Sequence, residues 1–144
     1  LDITTERLGN GELLSNVRID DEVQLDKFNE FIGRELVFEY MPEGYEFDYC
    51  EGEKGDNILT LFYKYKAQSS YMEFLITDNG HSSKVYIRGK LVKTLDNGDE
   101  IFGEQYDDGR FTVTKIIDDD IFVVMDSNGD YNEAIKVAEN VSVE

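Results

Sequence analysis

The chain has 144 residues, 40% of them hydrophobic, with 9 Phe and 9 Tyr, which is enough to fill the core of one ordinary domain and excludes wholesale disorder. Against 32 acidic residues stand 14 basic ones, a net charge of −18 that argues against a nucleic-acid backbone or an anionic membrane surface as the main partner. Cys50 is alone, so no intrachain disulfide forms and the compartment stays open.

No apolar run approaches the roughly 20 residues of a membrane helix. Leu1 opens the chain without a basic-then-apolar leader. The expectation is therefore a soluble portion of a longer protein, with any signal or anchor lying upstream of Leu1.

Residues 1–19 are polar and poorly periodic, and three readings stand open for them: a frayed arm, a strand pair, or the remnant of a linker. The expected organisation is an N-terminal arm or linker remnant over residues 1–19 and a single α+β domain over residues 20–144. From Asp20 or Asp21 as N-cap, Val23, Phe28, Phe31 and Ile32 predict a short amphipathic helix ending at Gly33. Leu36 to Phe47 holds the only proline, Pro42, between two aromatic-rich extended runs. Pro42 biases Met41 toward extended geometry and Gly44 supplies a positive φ, so the chain turns sharply there.

Beyond that turn the period is two. Tyr45, Phe47 and Tyr49 are expected on one face; Leu59, Leu61, Tyr63 and Tyr65 on one face, opposed by Ile58, Thr60 and Phe62; Met72, Phe74 and Ile76 continue the series. Further strands are expected at 84–88, 91–95, 100–106, 110–117 and 120–126. Asn10-Gly11, Asn79-Gly80, Asn97-Gly98, Asp108-Gly109 and Asn128-Gly129 read as tight turns of a β-meander. At the far end Asp130 can cap a helix and Glu133 reach back, with Tyr131, Ala134, Ile135 and Ala138 at i, i+3, i+4 and i+7. No internal repeat or low-complexity tract marks a second domain.

Candidate sites are sparse. His81 is the sole histidine, and neither it nor Cys50 has the spacing of a zinc site, so the alternatives are a Cys-His nucleophilic pair or a loop histidine and a buried thiol. Asp96-Asn97-Gly98-Asp99-Glu100, Asp107-Asp108, Asp118-Asp119-Asp120 and Asp126-Ser127-Asn128-Gly129-Asp130 offer hard oxygen ligands for calcium. The last opens like an EF-hand loop, then fails, because Tyr131 stands where Gly is needed and Val137 where a bidentate Glu is needed. Turn chemistry explains all four clusters without a metal. Tyr40, Tyr45, Tyr49, Tyr63, Tyr65, Tyr71, Tyr86, Tyr106 and Tyr131 are candidates to line a concave sheet face for a glycan or an extended peptide, with strand propensity as the simpler explanation.

No Gly-x-Ser-x-Gly elbow, phosphate loop or dinucleotide fingerprint occurs, and Arg88-Gly89-Lys90 reads as a turn between short strands. Asn140-Val141-Ser142 matches a glycosylation sequon without evident meaning at a chain end. No residue is thereby assigned a catalytic, cofactor or metal role.

The helix ending at Gly33-Arg34-Glu35, the turn Tyr40-Met41-Pro42-Glu43-Gly44-Tyr45, the strands from Ile58 to Tyr65 and the closing helix Asn132 to Asn140 resemble a bacterial family, the domain of unknown function 4367. The resemblance covers roughly residues 21–142. The chain departs from it at Met41, where the family usually has Leu, and in having no Trp. What the resemblance implies is an extracytoplasmic domain on the C-terminal side of a membrane anchor in Gram-positive bacteria, sometimes joined to anti-sigma-factor-like regulators. It implies no activity and no site residues.

The architecture expected is α+β: a mostly antiparallel, twisted sheet of six to nine strands with a short N-terminal helix and a C-terminal helix packed on one face. The function expected is non-catalytic, an extracytoplasmic sensing or interaction domain that binds a protein, a peptide or a cell-envelope component. Two alternatives stand beside it: an acidic inhibitor or immunity-type protein masking a basic partner, and a carboxylate-dependent hydrolase.

Overall fold

In a computed structural model of the chain, residues 1–78 and 87–144 are described. In chain order the elements are β1 (Ile3–Arg7), β2 (Leu13–Ile19), a 3-10 turn (Glu22–Gln24), α1 (Leu25–Ile32), β3 (Leu36–Phe38), β4 (Glu46–Lys54), β5 (Leu59–Lys66) and β6 (Tyr71–Asp78). The second half adds β7 (Lys90–Thr94), β8 (Glu100–Gln105), β9 (Phe111–Ile117), β10 (Ile121–Ser127), α2 (Tyr131–Glu139) and β11 (Val141–Val143). The class is α+β, with a nine-stranded sheet in the order β1-β2-β4-β5-β6-β10-β9-β8-β7 and a two-stranded clasp of β3 with β11.

Among the described residues every pairing is antiparallel, yet the sheet is not one continuous meander. β6 pairs with β10 and not with β7. Two meanders therefore meet at a central seam, with β1 at one edge and β7 at the other. The expected strand at 84–88 and the Asn79-Gly80 turn lie at least partly outside the described residues. Residues 1–19, left open by the sequence, form the β1–β2 hairpin, whose second strand pairs with β4.

Turn chemistry follows the sequence at most tips. Gly11, Gly98 and Gly109 take φ of 87°, 94° and 89° in their hairpins. Gly44 sits at φ 90°, and the Tyr45 amide donates to the Pro42 carbonyl at 3.3 Å, closing the sharp turn. Asn128-Gly129 departs from expectation and makes no hairpin. Its Asn128 carboxamide instead accepts from the Tyr71 amide at 3.0 Å, tying the end of β10 to the start of β6.

Period two holds along β5 and β6, but β4 contains a bulge between Phe47 and Tyr49. The extra residue, Asp48, turns Tyr49 to the other face from Phe47, against the shared face expected. Phe47 accordingly meets Tyr65, whereas Tyr49 meets Phe62 and lies beneath the Arg18 guanidinium at 4.0 Å.

Asp21 caps the 3-10 turn by accepting from the Val23 amide at 3.0 Å, and Gly33 ends α1 in a left-handed conformation. Val23, expected on the apolar face, is 84% exposed because the helix proper begins only at Leu25. Asp130 caps α2 by accepting from the Glu133 amide at 2.9 Å. The Glu133 carboxylate does not reach back; it accepts from the Tyr40 hydroxyl, so the expected capping box is half made. Val137, not singled out by the sequence pattern, is fully buried beside Ala134 and Ala138.

Each helix is seated at a strand glycine. A Cβ at Gly52 would stand 2.6 Å from Ile32 Cδ1, and one at Gly103 would stand 2.0 Å from the Tyr131 hydroxyl. Phe28 of α1 meets Tyr63 edge-on, and Tyr131 of α2 meets Phe111 edge-on. Cross-strand register links Cys50, Tyr63, Phe74, Met125, Val113 and Gly103 in one row, so both seats fall on the same side of the sheet. This is the helix face, and the main core lies under it.

Candidate functional site: a polar groove on the far face

The opposite face carries a second cross-strand row: Lys64 of β5, Glu73 of β6, Asp126 of β10, Thr112 of β9 and Glu104 of β8. The alternation that sends Met72 and Phe74 into the core sends Tyr71 and Glu73 outward to this row. Tyr106 and Arg110, at the two ends of the β8–β9 turn, and Arg88, just before β7, close over it. These three line an open groove of about 510 Å³ with Tyr71, Glu73, Thr112 and Asp126.

Glu73 and Asp126 stand directly opposite each other on neighbouring strands, where like charges repel. Each has a compensating neighbour. Lys64 Nζ lies 3.7 Å from Glu73 Oε1, and the Thr112 hydroxyl donates to Asp126 Oδ1 at 2.6 Å. Because that proton is committed, the Tyr106 hydroxyl donates to Thr112 at 3.0 Å in preference to the Glu104 carboxylate at 3.4 Å, which makes a short relay from Tyr106 through Thr112 to Asp126. Arg110 Nε donates to Asp108 Oδ2 at 2.7 Å, while the Arg110 amide and guanidinium hold the Asp108 carboxyl below its usual range.

The residues singled out from sequence are scattered. Cys50 is fully buried on the helix face, and burial first, then Glu51 and Asp20, push its thiol up to about 12, which keeps it a poor nucleophile. His81 and Tyr86 lie outside the described residues. Of the other tyrosines, Tyr63 and Tyr65 belong to the core and its margin, Tyr131 seats α2, Tyr40 bonds Glu133, Tyr45 donates to Ser70 at 2.7 Å, and Tyr49 stacks with Phe62. Among the described tyrosines, only Tyr71 and Tyr106 reach the groove.

Several members of the acidic clusters hold turns and caps. The Asp118 amide donates to Asp99 Oδ1 at 3.1 Å, which ties the β9–β10 turn to the β7–β8 turn. Asp126 and Ser127 end β10, and Asp130 caps α2. Among the described residues no three His, Cys, Asp or Glu side chains converge as metal ligands. The same residues include no helix long and apolar enough to cross a membrane.

Sequence reasoning missed Glu73, Thr112, Arg88 and Arg110 as groove residues. The outward parity of Glu73 was visible in the β6 pattern, but its pairing with Asp126 depends on the non-local seam. Lys115 was missed as well. It is 4% exposed on the helix face, where Nζ donates to the Val141 carbonyl at 2.7 Å and burial pushes the ammonium pKa down against the pull of Asp99 and Glu139.

A family model described as a domain of unknown function (DUF4367) matches residues 35–141. No curated protein and no solved structure matches.

Proposed function

The chain belongs to this family of domains of unknown function, and from that premise we propose that it is a non-catalytic binding domain whose ligand occupies the groove on the far face. The carrying observation is the groove itself: about 510 Å³, within the range of small-molecule sites, with tyrosines and both signs of charge converging on it. Against hydrolysis stands its openness. Asp126 is exposed and the Glu73 side chain is 34% accessible, so neither carboxylate sits in the apolar enclosure that a general acid needs.

The ligand class is a peptide, a protein segment or a cell-envelope component. The extracytoplasmic, membrane-tethered setting rests on the family resemblance alone and is tested by the sequence preceding Leu1 in the full gene and by protease access on whole cells. The acidic-inhibitor alternative keeps one specific support, a shallower groove of about 440 Å³ over β1, β2 and β4 where Asp2, Asp20, Glu51 and Glu53 surround Arg18.

Amide chemical-shift perturbation with peptidoglycan fragments and short peptides tests the binding. Shifts confined to Tyr71, Glu73, Tyr106, Arg110 and Asp126 support it. Shifts confined to the Arg18 groove, seen only with basic peptides, would favour the alternative.

A further inference from the structure

The geometry points to a dipolar ligand for the groove: a molecule carrying a free amine, taken by Glu73 and Asp126, and an anionic group, taken by Arg110 and Arg88. This rests on the binding reading above and adds the ligand's charge pattern. The first ground is the segregation of sign. In a chain with 32 acidic and 14 basic residues, two guanidinium groups converge on one groove, and the facing strands present two carboxylates at directly opposed positions.

The second ground is incomplete compensation. The Lys64 ammonium lies at 3.7 Å from Glu73, beyond hydrogen-bond length, and Thr112 satisfies one oxygen of Asp126. Among the described residues, the second oxygen of Asp126 has no other donor, and the terminal nitrogens of Arg110 and the whole Arg88 guanidinium have no acceptor. A cationic amine placed between Glu73 and Asp126 relieves their mutual repulsion. An anionic end reaching Arg110 completes the planar fork that Asp108 engages only at Nε.

The third ground is orientation. The Tyr106–Thr112–Asp126 relay holds one oxygen of the Asp126 carboxylate, which lines the groove, so the amine site is preorganised before the ligand arrives. The groove's volume suits a dipeptide or a diamino acid better than a folded partner.

The test uses the whole chain at low ionic strength, because charges this exposed are screened by salt. Alanyl-alanine with free ends is titrated by amide chemical shift, beside its N-acetylated form, its C-amidated form and neutral N-acetylglucosamine. The expected result is binding of the free dipeptide at the groove, weakened about tenfold or more by either block. Asp126→Asn is expected to erase the penalty of acetylation and Arg110→Gln the penalty of amidation, with unchanged melting for both variants. Equal binding of the blocked peptides, or preference for the neutral sugar, overturns the dipolar inference while the binding reading stands. Silence of the groove toward all four probes at millimolar concentration overturns both.

Discussion

Strands β1 and β9 belong to the same sheet, yet every residue of β1 is exposed and every residue of β9 is buried. Side-chain polarity does not account for this. Ile3 of β1 is 43% exposed, while Thr112 and Lys115 of β9 are each 4% exposed. Place in the sheet decides. β1 is an edge that no helix covers, whereas β9 runs beneath α2 and is flanked by β8 and β10. The far face is closed over β9 as well, where Thr114 and Ile116 are buried, and it is open over β4, where Glu51 and Glu53 meet water. The groove lies at the border between these regimes, where polar side chains can be held by buried neighbours and still reach a ligand.

The comparison breaks most decisively if its two ends tolerate the same insult. Truncation before Asp130 removes α2 and β11, uncovering Phe111, Val113 and Ile101 and unpairing β3; the expected outcome is aggregation or loss of a cooperative melt, read by calorimetry. Deleting Leu1 to Arg7 should leave a cooperative transition. Similar damage from both deletions would mean that β1 is as integral as β9.

A side chain added at the α2 seat is the next largest test. Gly103→Val should cost about 3 kcal/mol in urea denaturation, since its side chain must displace the Tyr131 ring. Gly44→Val, at a turn with open space around it, should lose about 1–2 kcal/mol from left-handed backbone strain alone. If Gly44→Val proves the costlier, helix seating is weaker than the geometry indicates.

Alkaline unfolding sharpens the contrast between core and surface. The buried Cys50 thiol is pushed up to about 12 from an ordinary 9.0, and burial raises Tyr63 and Tyr65 too. The folded state therefore holds protons that the unfolded chain releases. Their stabilisation is intact below pH 9 and is lost as pH climbs toward 12. Cys50→Ala should flatten that decline between pH 9 and 12, measured as urea stability against pH; an unchanged slope would show that the thiol titrates freely.

The smallest expected effect concerns calcium. Asp99 is held by the Asp118 amide, Asp126 by Thr112 and Asp130 by its helix cap, so melts in calcium and in ionic-strength-matched sodium chloride should coincide. A specific site would instead add about 2.7 kcal/mol at a hundredfold excess over its Kd. A calcium-only shift abolished by Asp126→Ala would place a metal among these turns.

Local chemistry was legible in the sequence because it depends on neighbours in the chain. Gly33 and Asp130 cap where expected, Asp21 caps a 3-10 turn ahead of α1, Gly44 turns, and the faces of β5 and β6 follow period two. What escaped depends on residues distant in sequence or on one inserted residue. Asp48 is a single unit out of register, yet it reassigned Tyr49 to the far face. β11 has only three residues and exists because β3 lies ready to pair with it. The groove was hidden for the same reason, since Glu73 and Asp126 become neighbours only when β6 meets β10.

That seam has a kinetic consequence. The hairpins β1–β2, β4–β5, β5–β6, β7–β8, β8–β9 and β9–β10 join nearby segments and close short loops, so they can form early and independently. Pairing Asp78 with Ile121 and Met72 with Ser127 requires a long loop to close before any contact across it repays the lost chain entropy. Meeting of the two half-sheets, like the pairing of β3 with β11, is thus expected to lag behind hairpin closure, which refolding kinetics would read. Until it occurs, β6 and β10 each present an unpaired apolar edge to the solvent, and the chain is most exposed to association with its own copies.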